Sequence, residues 1–277
     1  MSYKIPLGEW VAGGVKWLEN NDHGAFDQIG GVIDSTTSAI EHGLIATPYW
    51  LFCAVFVGIA YWRRGWQFAA FCAASLWLIF NMGFVEQTLV TLALITSATL
   101  ISLALGIPLG IWAGRSDRAE SVIRPTLDFM QTMPAFVYLI PAAMFFGLGR
   151  VPGVIATVIF AMPPVVRLTS LGIRQVNKEQ VEAGIAFGCT PTQLLLKVQL
   201  PSAMAALFAG INQTIMMALS MVIIASMVGA GGLGNDVLSS ISRLDIGLGF
   251  ESGLGVVLLA IMLDRITESF GVKRAAK

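Results

Sequence analysis

Gly229, Gly231 and Gly234 stand in the spacing GxGxxG, and Glu251 follows at roughly the distance at which an acid holds a ribose hydroxyl. That chemistry needs a short strand leading into the first glycine and a helix leading out of the last, within a βαβ unit of about 30 residues. The residues in front, NQTIMMALSMVIIASMV, belong instead to a stretch from 198 to 235 without a charge. The glycines therefore end an apolar helix, and the fingerprint is accidental. What they offer is a backbone that turns sharply and approaches a partner closely. None of the lysines, Lys4, Lys16, Lys178, Lys197, Lys273 and Lys277, follows a glycine, which excludes a P-loop, and there is no GxSxG elbow. Cys53, Cys72 and Cys189 form no CxxC pair, and His23 and His42 have no HExxH partner. No catalytic residue, metal site or cofactor of the chain's own is expected.

The elements that must position anything functional are set by composition. Of 277 residues, 56% are hydrophobic and 12% charged, about half the charged share of a soluble domain. Charges are absent from 87–114, 129–149, 151–166 and 198–235, runs near or above the length of about 20 residues that spans a bilayer as helix. The chain reads as an all-α integral membrane protein with seven spans, at 46–62, 66–82, 88–113, 129–149, 152–167, 203–228 and 246–263. With the N-terminus outside, thirteen Lys and Arg fall in inner segments, from Arg63 and Arg64 to Lys277, against Lys4, Lys16, Arg150 and Arg243 outside. That bias places the C-terminus in the cytoplasm. The last span is the weakest, interrupted by Glu251 and closed by Asp264.

Residues 1–43 carry scattered acids and no signal-peptide pattern. Phe26, Ile29 and Ile33 at helical spacing, with Trp10 and Trp17, predict an amphipathic helix on the outer face. Residues 44–83 form a two-helix hairpin turning at WRRGW, where Trp62 and Trp66 mark the interface. Pro108, Pro134, Pro141, Pro163 and Pro164 lie in or beside spans, where such breaks are tolerated if neighbouring helices or a cavity satisfy the freed backbone.

The longest inner loop reads RQVNKEQVEAGIAFGCTPTQLLLKVQLP, residues 174–201. Asn177 and Gln180 cap a first short helix, and Gly188 ends it in the left-handed region. Thr190, Pro191 and Gln193 supply a capping box for a second, which Pro201 stops. Charges within 178–197 sum to zero, so this helix pair lacks the basic footprint that nucleic acid requires. Ala183, Gly184, Ala186 and Gly188 make a face of small residues, suited equally to another protein's surface or to the chain's own helices.

Glu182, Ala183 and Gly184, then Gly188, then Val198, Gln199, Leu200 and Pro201 resemble the EAA loop of binding-protein-dependent ABC importer permeases. Its pattern is EAA, three residues, G, nine residues, I, any residue, LP. Gly184 for alanine and Val198 for isoleucine are the departures. QTMPAFVYLIPAAMFFGLG, VPGVIATVIFAMPPVVRLT and RLDIGLG are similar to permease subunits for glycine betaine, proline betaine and choline, over about 83–270. The resemblance implies a type I importer permease fold, with a core domain at 84–270, the EAA loop at 178–201 as cytoplasmic coupling helix, and a cytoplasmic tail at 271–277. It implies a bacterial inner membrane location and several partners: an ATP-binding cassette ATPase that binds ATP-Mg, an extracytoplasmic substrate-binding protein, a second permease copy and membrane lipid. Glu182, Ala183, Gly184, Gly188 and Pro201 are then the coupling residues.

A quaternary ammonium cannot donate a hydrogen bond from its nitrogen and is best met by aromatic faces. Phe129, Phe136 and Tyr138, with Gln131 and Thr132, are candidates for the translocation pathway; Phe145 and Phe146 lie in the same span. The alternatives are an ABC permease for another small solute such as an amino acid, and an ion-coupled secondary transporter. The latter is disfavoured because Asp128, Glu251 and Asp264 fall near span ends rather than at the membrane midplane.

Overall fold

The computed structural model describes residues 10, 13 and 23–271. The expectations for Trp17 and for the tail beyond residue 271 lie outside the described residues. Among the described residues the ordered structure is helical, with no strand.

Helix α1 (His23–Ala46) is followed by α2 (Tyr49–Arg64), α3 (Trp66–Asn81), α4 (Val85–Arg115), α5 (Asp117–Thr132), a 3-10 turn (Ala135–Tyr138) and α6 (Leu139–Phe146). Then come α7 (Arg150–Arg174), α8 (Lys178–Ala186), α9 (Pro191–Leu194), α10 (Leu200–Ala225), α11 (Leu233–Arg243) and α12 (Ile246–Gly271). Helices α4, α7, α10 and α12 are long and apolar enough to cross a membrane unaided. Helices α2 and α3, of 16 residues each, reach about 24 Å, slightly short of the hydrocarbon core. Counting the bent pairs α1–α2 and α5–α6 as one span each gives up to six crossings, with α3 a shorter apolar helix beside them, roughly consistent with the expected seven.

Helix α7 is the centre of the bundle, and small residues let its neighbours close on it. Gly106, Gly110 and Gly114 form a line along α4 at i, i+4, i+8. A Cβ on Gly110 would lie 2.6 Å from Thr169 Cβ and 2.7 Å from the Val166 carbonyl oxygen. On the other side Gly172 meets Ala203 and Ala206, and Gly210 of α10 meets the Val165 backbone. In lipid, where apolar surface gives helices no reason to associate, this close approach is what dispersion packing requires. Pro163 and Pro164 are buried within α7, and neither they nor Pro108 in α4 interrupts the helix.

Four expectations are corrected. The fourth span, 129–149, is not one helix: α5 begins earlier, at Asp117, and meets the 135–146 segment at 106°. Pro134 pushes Met133 into extended backbone (φ −73°, ψ 140°), because the residue before a proline is excluded from helix. The fifth span runs the full length of Arg150–Arg174, and the seventh continues past Asp264 to Gly271. Finally, Pro201 does not stop the loop's second helix. Leu195–Gln199 form a π-helical turn in which Leu200 N–H donates to Leu195 O, and the widened turn carries the chain past the proline's missing donor into α10.

Helix α1 bends away from α2 by 100° and packs on the core. Phe26 stacks on Phe145 at 4.6 Å, and Arg150 at the start of α7 pairs with Asp34 (3.4 Å) and Glu41 (2.7 Å). At the opposite end, Arg63 and Arg64 of the hairpin corner grip the last turns of α12. Arg64 Nε donates to Arg265 O at 3.0 Å, Arg64 pairs with Glu268, and Arg63 lies over the Phe270 ring at 4.3 Å. Basic groups on the terminal carbonyls of a helix also meet the negative end of its dipole.

Candidate functional site

The loop between α7 and α10 is built as its sequence dictates. Asn177 Oδ1 accepts the Glu179 N–H at 2.9 Å, capping α8. Gln180 does not complete that cap; its side chain accepts from Ser202 Oγ at 3.3 Å and ties α8 to α10. Gly188 is left-handed (φ +77°) and the Thr190–Gln193 capping box is complete. Two short helices thus fold back on each other at the end of the bundle.

The small-residue face splits in two. Gly184 is buried, and a Cβ there would lie 2.7 Å from Leu194 Cδ1, so this glycine serves the chain's own hairpin. Glu182, Ala183, Ala186 and Gly188 are exposed. Beside them stand Ile185 and Phe187, the latter 89% exposed, which a search for small residues passes over. The legible signal was a large aromatic next to the turn glycine of a polar loop. Nothing lies within 4 Å of a Cβ placed on Gly188, so its backbone angle rather than local crowding demands glycine within this chain.

The pathway candidates gather at the elbow between α5 and α6. Phe129 and Phe136 are 63% and 57% exposed on either side of Pro134, Thr132 is exposed and Gln131 half-buried. Tyr138 is buried, and its hydroxyl donates to Met130 O at 2.6 Å, closing the elbow from within. Phe145 and Phe146 pack on Phe26 of α1. The elbow therefore presents two aromatic faces and a hydroxyl to its surroundings.

The glycine-rich corner at 229–234 turns inward. Gly229 (φ +84°) sits over Gly149, whose N–H donates to Val228 O at 2.8 Å. Thr91 Oγ1 accepts the Leu233 N–H at 2.9 Å, and a Cβ on Gly232 would collide with the same hydroxyl. The close approach these glycines permit is to α4, to Gly149 at the start of α7 and, for Gly234, to Ile223 and Ser226 at the end of α10, all in the same chain. Asp236, in the first turn of α11, has its carboxyl pushed upward by burial, and Oδ2 accepts no hydrogen bond.

Along α5, on the side that faces α7, lies a cavity of about 260 Å³. Arg167 reaches across to Asp128. Arg174 Nη1 donates to Asp117 Oδ1 at 2.7 Å; its Nη2 donates to Ala113 O at 2.7 Å and lies 2.8 Å from Glu120 Oε2.

The chain is similar to known proteins in sequence and in fold. The chain is 50% identical over 273 residues to the glycine betaine/carnitine transport permease protein GbuB of Listeria monocytogenes serotype 1/2a (strain 10403S), covering 97% of this chain and 96% of that one. It is 48% identical over 267 residues to the glycine betaine/proline betaine transport system permease protein ProW of Escherichia coli (strain K12), covering 96% of this chain and 75% of that one. In fold it is similar to a chain of the inward-facing MetNI methionine ABC transporter, with a TM-score of 0.61, 19% identity, and coverage of 68% of this chain and 94% of that chain. Residues 106–270 match the family model, and the chain belongs to the binding-protein-dependent transport system inner membrane components.

Proposed function

We propose that this chain is the membrane-spanning permease subunit of an ATP-driven importer for quaternary ammonium and related methylated amines, and that it is not itself an enzyme. Both reported relatives are named for glycine betaine, one with carnitine and one with proline betaine; the shared chemistry is a methylated cationic nitrogen beside a carboxylate. The family implies an ATPase that binds ATP-Mg and an extracytoplasmic substrate-binding protein. The finer assignments are ours: two copies of the chain form the conduit, the N-terminus lies outside, and the α8 tip docks on the ATPase.

The observation that carries the docking role is the exposed tip itself. Phe187 and Ile185 project from the bundle end beside Glu182, Ala183 and Gly188. A nearly bare aromatic surrounded by small residues is the composition of an interface anchor. Docking there lets ATP-driven closure of the ATPases favour one arrangement of the spans over another, since the two arrangements hold the tip differently. At the elbow, Phe129 and Phe136 offer the cation aromatic faces worth about 0.5–2 kcal/mol each. That suits a low-affinity path, with the tight site left to the external binding protein.

The test is uptake of labelled glycine betaine by the whole transporter in proteoliposomes. ATP-dependent uptake, competed by proline betaine and not by glutamine, is expected. Phe187→Asp should leave the permease inserted, release the ATPase and abolish uptake. Normal uptake with the ATPase still bound would remove the docking role.

A further inference from the structure

We infer that Arg174 is a positioning residue that makes the cytoplasmic loop and α5 move as one body. This rests on the coupling role proposed above for α8. Arg174 is the last residue of α7, and α8 begins at Lys178. Its guanidinium binds the Ala113 carbonyl in the last turn of α4, and Asp117 and Glu120 in the first turn of α5. One planar fork therefore ties three helix ends at the root of the loop. An ammonium, with its compact charge, does not reproduce that divergent set of bonds.

The tie matters because packing between α5 and α7 is incomplete there. The two helices touch, but a cavity lined by Leu127, Val166 and Leu171 opens between them along α5. Polar struts bridge it at two levels: Arg174 at the inner end, and Arg167 with Asp128 two turns above. Helix α7 is held rigidly by the glycine contacts of α4 and α10, and close-packed contacts transmit displacement whereas a gap does not. A displacement of α8 reaches α7 through the chain; it reaches α5, which carries Phe129 and leads to Phe136, through the one-residue link from α4 and the partial packing on α7, and these struts stiffen that joint. Asp117 is 93% exposed, so its share is weakened by solvent; Glu120, at 34%, and the Ala113 carbonyl carry more of the link.

The experiment uses the complete transporter, with ATPase and binding protein, in proteoliposomes, and measures ATP hydrolysis and glycine betaine uptake together. Arg174→Gln should assemble and hydrolyse ATP near the wild-type rate, while uptake per ATP falls about ten-fold. Arg174→Lys should recover only part of it. Glu120→Gln, which approaches the same node from α5, should lower uptake per ATP in the same direction. An unchanged ratio in Arg174→Gln overturns the inference. Loss of assembly in both Arg174→Gln and Glu120→Gln also overturns it, because the node would then be structural only. Absence of ATP-dependent uptake in the wild type is a different result: it sinks the proposed function and this inference with it.

Discussion

At Gly188 two physical demands can be separated. The backbone sits at φ +77° with open space around it, so within this chain the position requires a left-handed residue rather than a small one. Asparagine tolerates that region better than alanine does, and replacing a left-handed glycine by alanine costs about 1 kcal/mol or more. If backbone conformation dominates, Gly188→Asn retains more uptake than Gly188→Ala; if the approach of the ATPase surface dominates, the order reverses. We expect the first order, read as initial rates of glycine betaine uptake at matched expression. Gly184 behaves differently, since its crowding neighbour is the flexible end of Leu194; alanine there should be accepted with a small repacking. The EAA pattern made both positions legible in the sequence. It did not distinguish them, because spacing records which residues are small and not whether smallness serves a neighbour, a turn or a partner.

Among the elements, the seam between α4 and α7 controls whether a bundle forms. The Gly110 contact includes the Val166 carbonyl oxygen at 2.7 Å from an added Cβ, and backbone cannot swing aside as a side chain can. Gly110→Val should therefore force α4 away from α7, at a cost of about 1–3 kcal/mol or more, visible as a lower melting temperature and less monodisperse protein in detergent. Gly58→Ala in α2, where nothing lies within 4 Å of the new Cβ, should leave both measures unchanged and serves as the control. The 106–110–114 spacing was present in the sequence as a small-residue line, but counting charge-free windows makes no use of it. The same counting missed the elbow. A window from 129 to 149 sees uninterrupted apolarity, whereas α5 starts inside the charged stretch at Asp117 and Pro134 ends it. The loop caps, by contrast, were readable residue by residue, since Asn177, Thr190 and Gln193 act on neighbours two or three positions away.

For the whole molecule the question is which way it lies in the membrane. Among the described residues, every ion pair that links distant elements joins residues that the charge bias assigns to one side. Arg64 with Glu268, Arg167 with Asp128, and Arg174 with Asp117 and Glu120 belong to the inner set, while Arg150 with Asp34 and Glu41 belongs to the outer. An error of one crossing between any two of these segments would have set partners on opposite faces. Such agreement sorts the segments into two sides, and the excess of Lys and Arg is the ground on which we propose that the loop side is the cytoplasm. The chain carries its own probe. Cys189 is half-exposed in the loop beside Phe187, Cys72 is buried and Cys53 lies within α2. A membrane-impermeant maleimide should therefore label Cys189 in inside-out vesicles and not in intact cells. Ser242→Cys, at an exposed position near the end of α11, should show the opposite pattern. If Cys189 is labelled from outside, the loop faces away from every ATP-hydrolysing partner, and neither the docking role of Phe187 nor the strut at Arg174 survives.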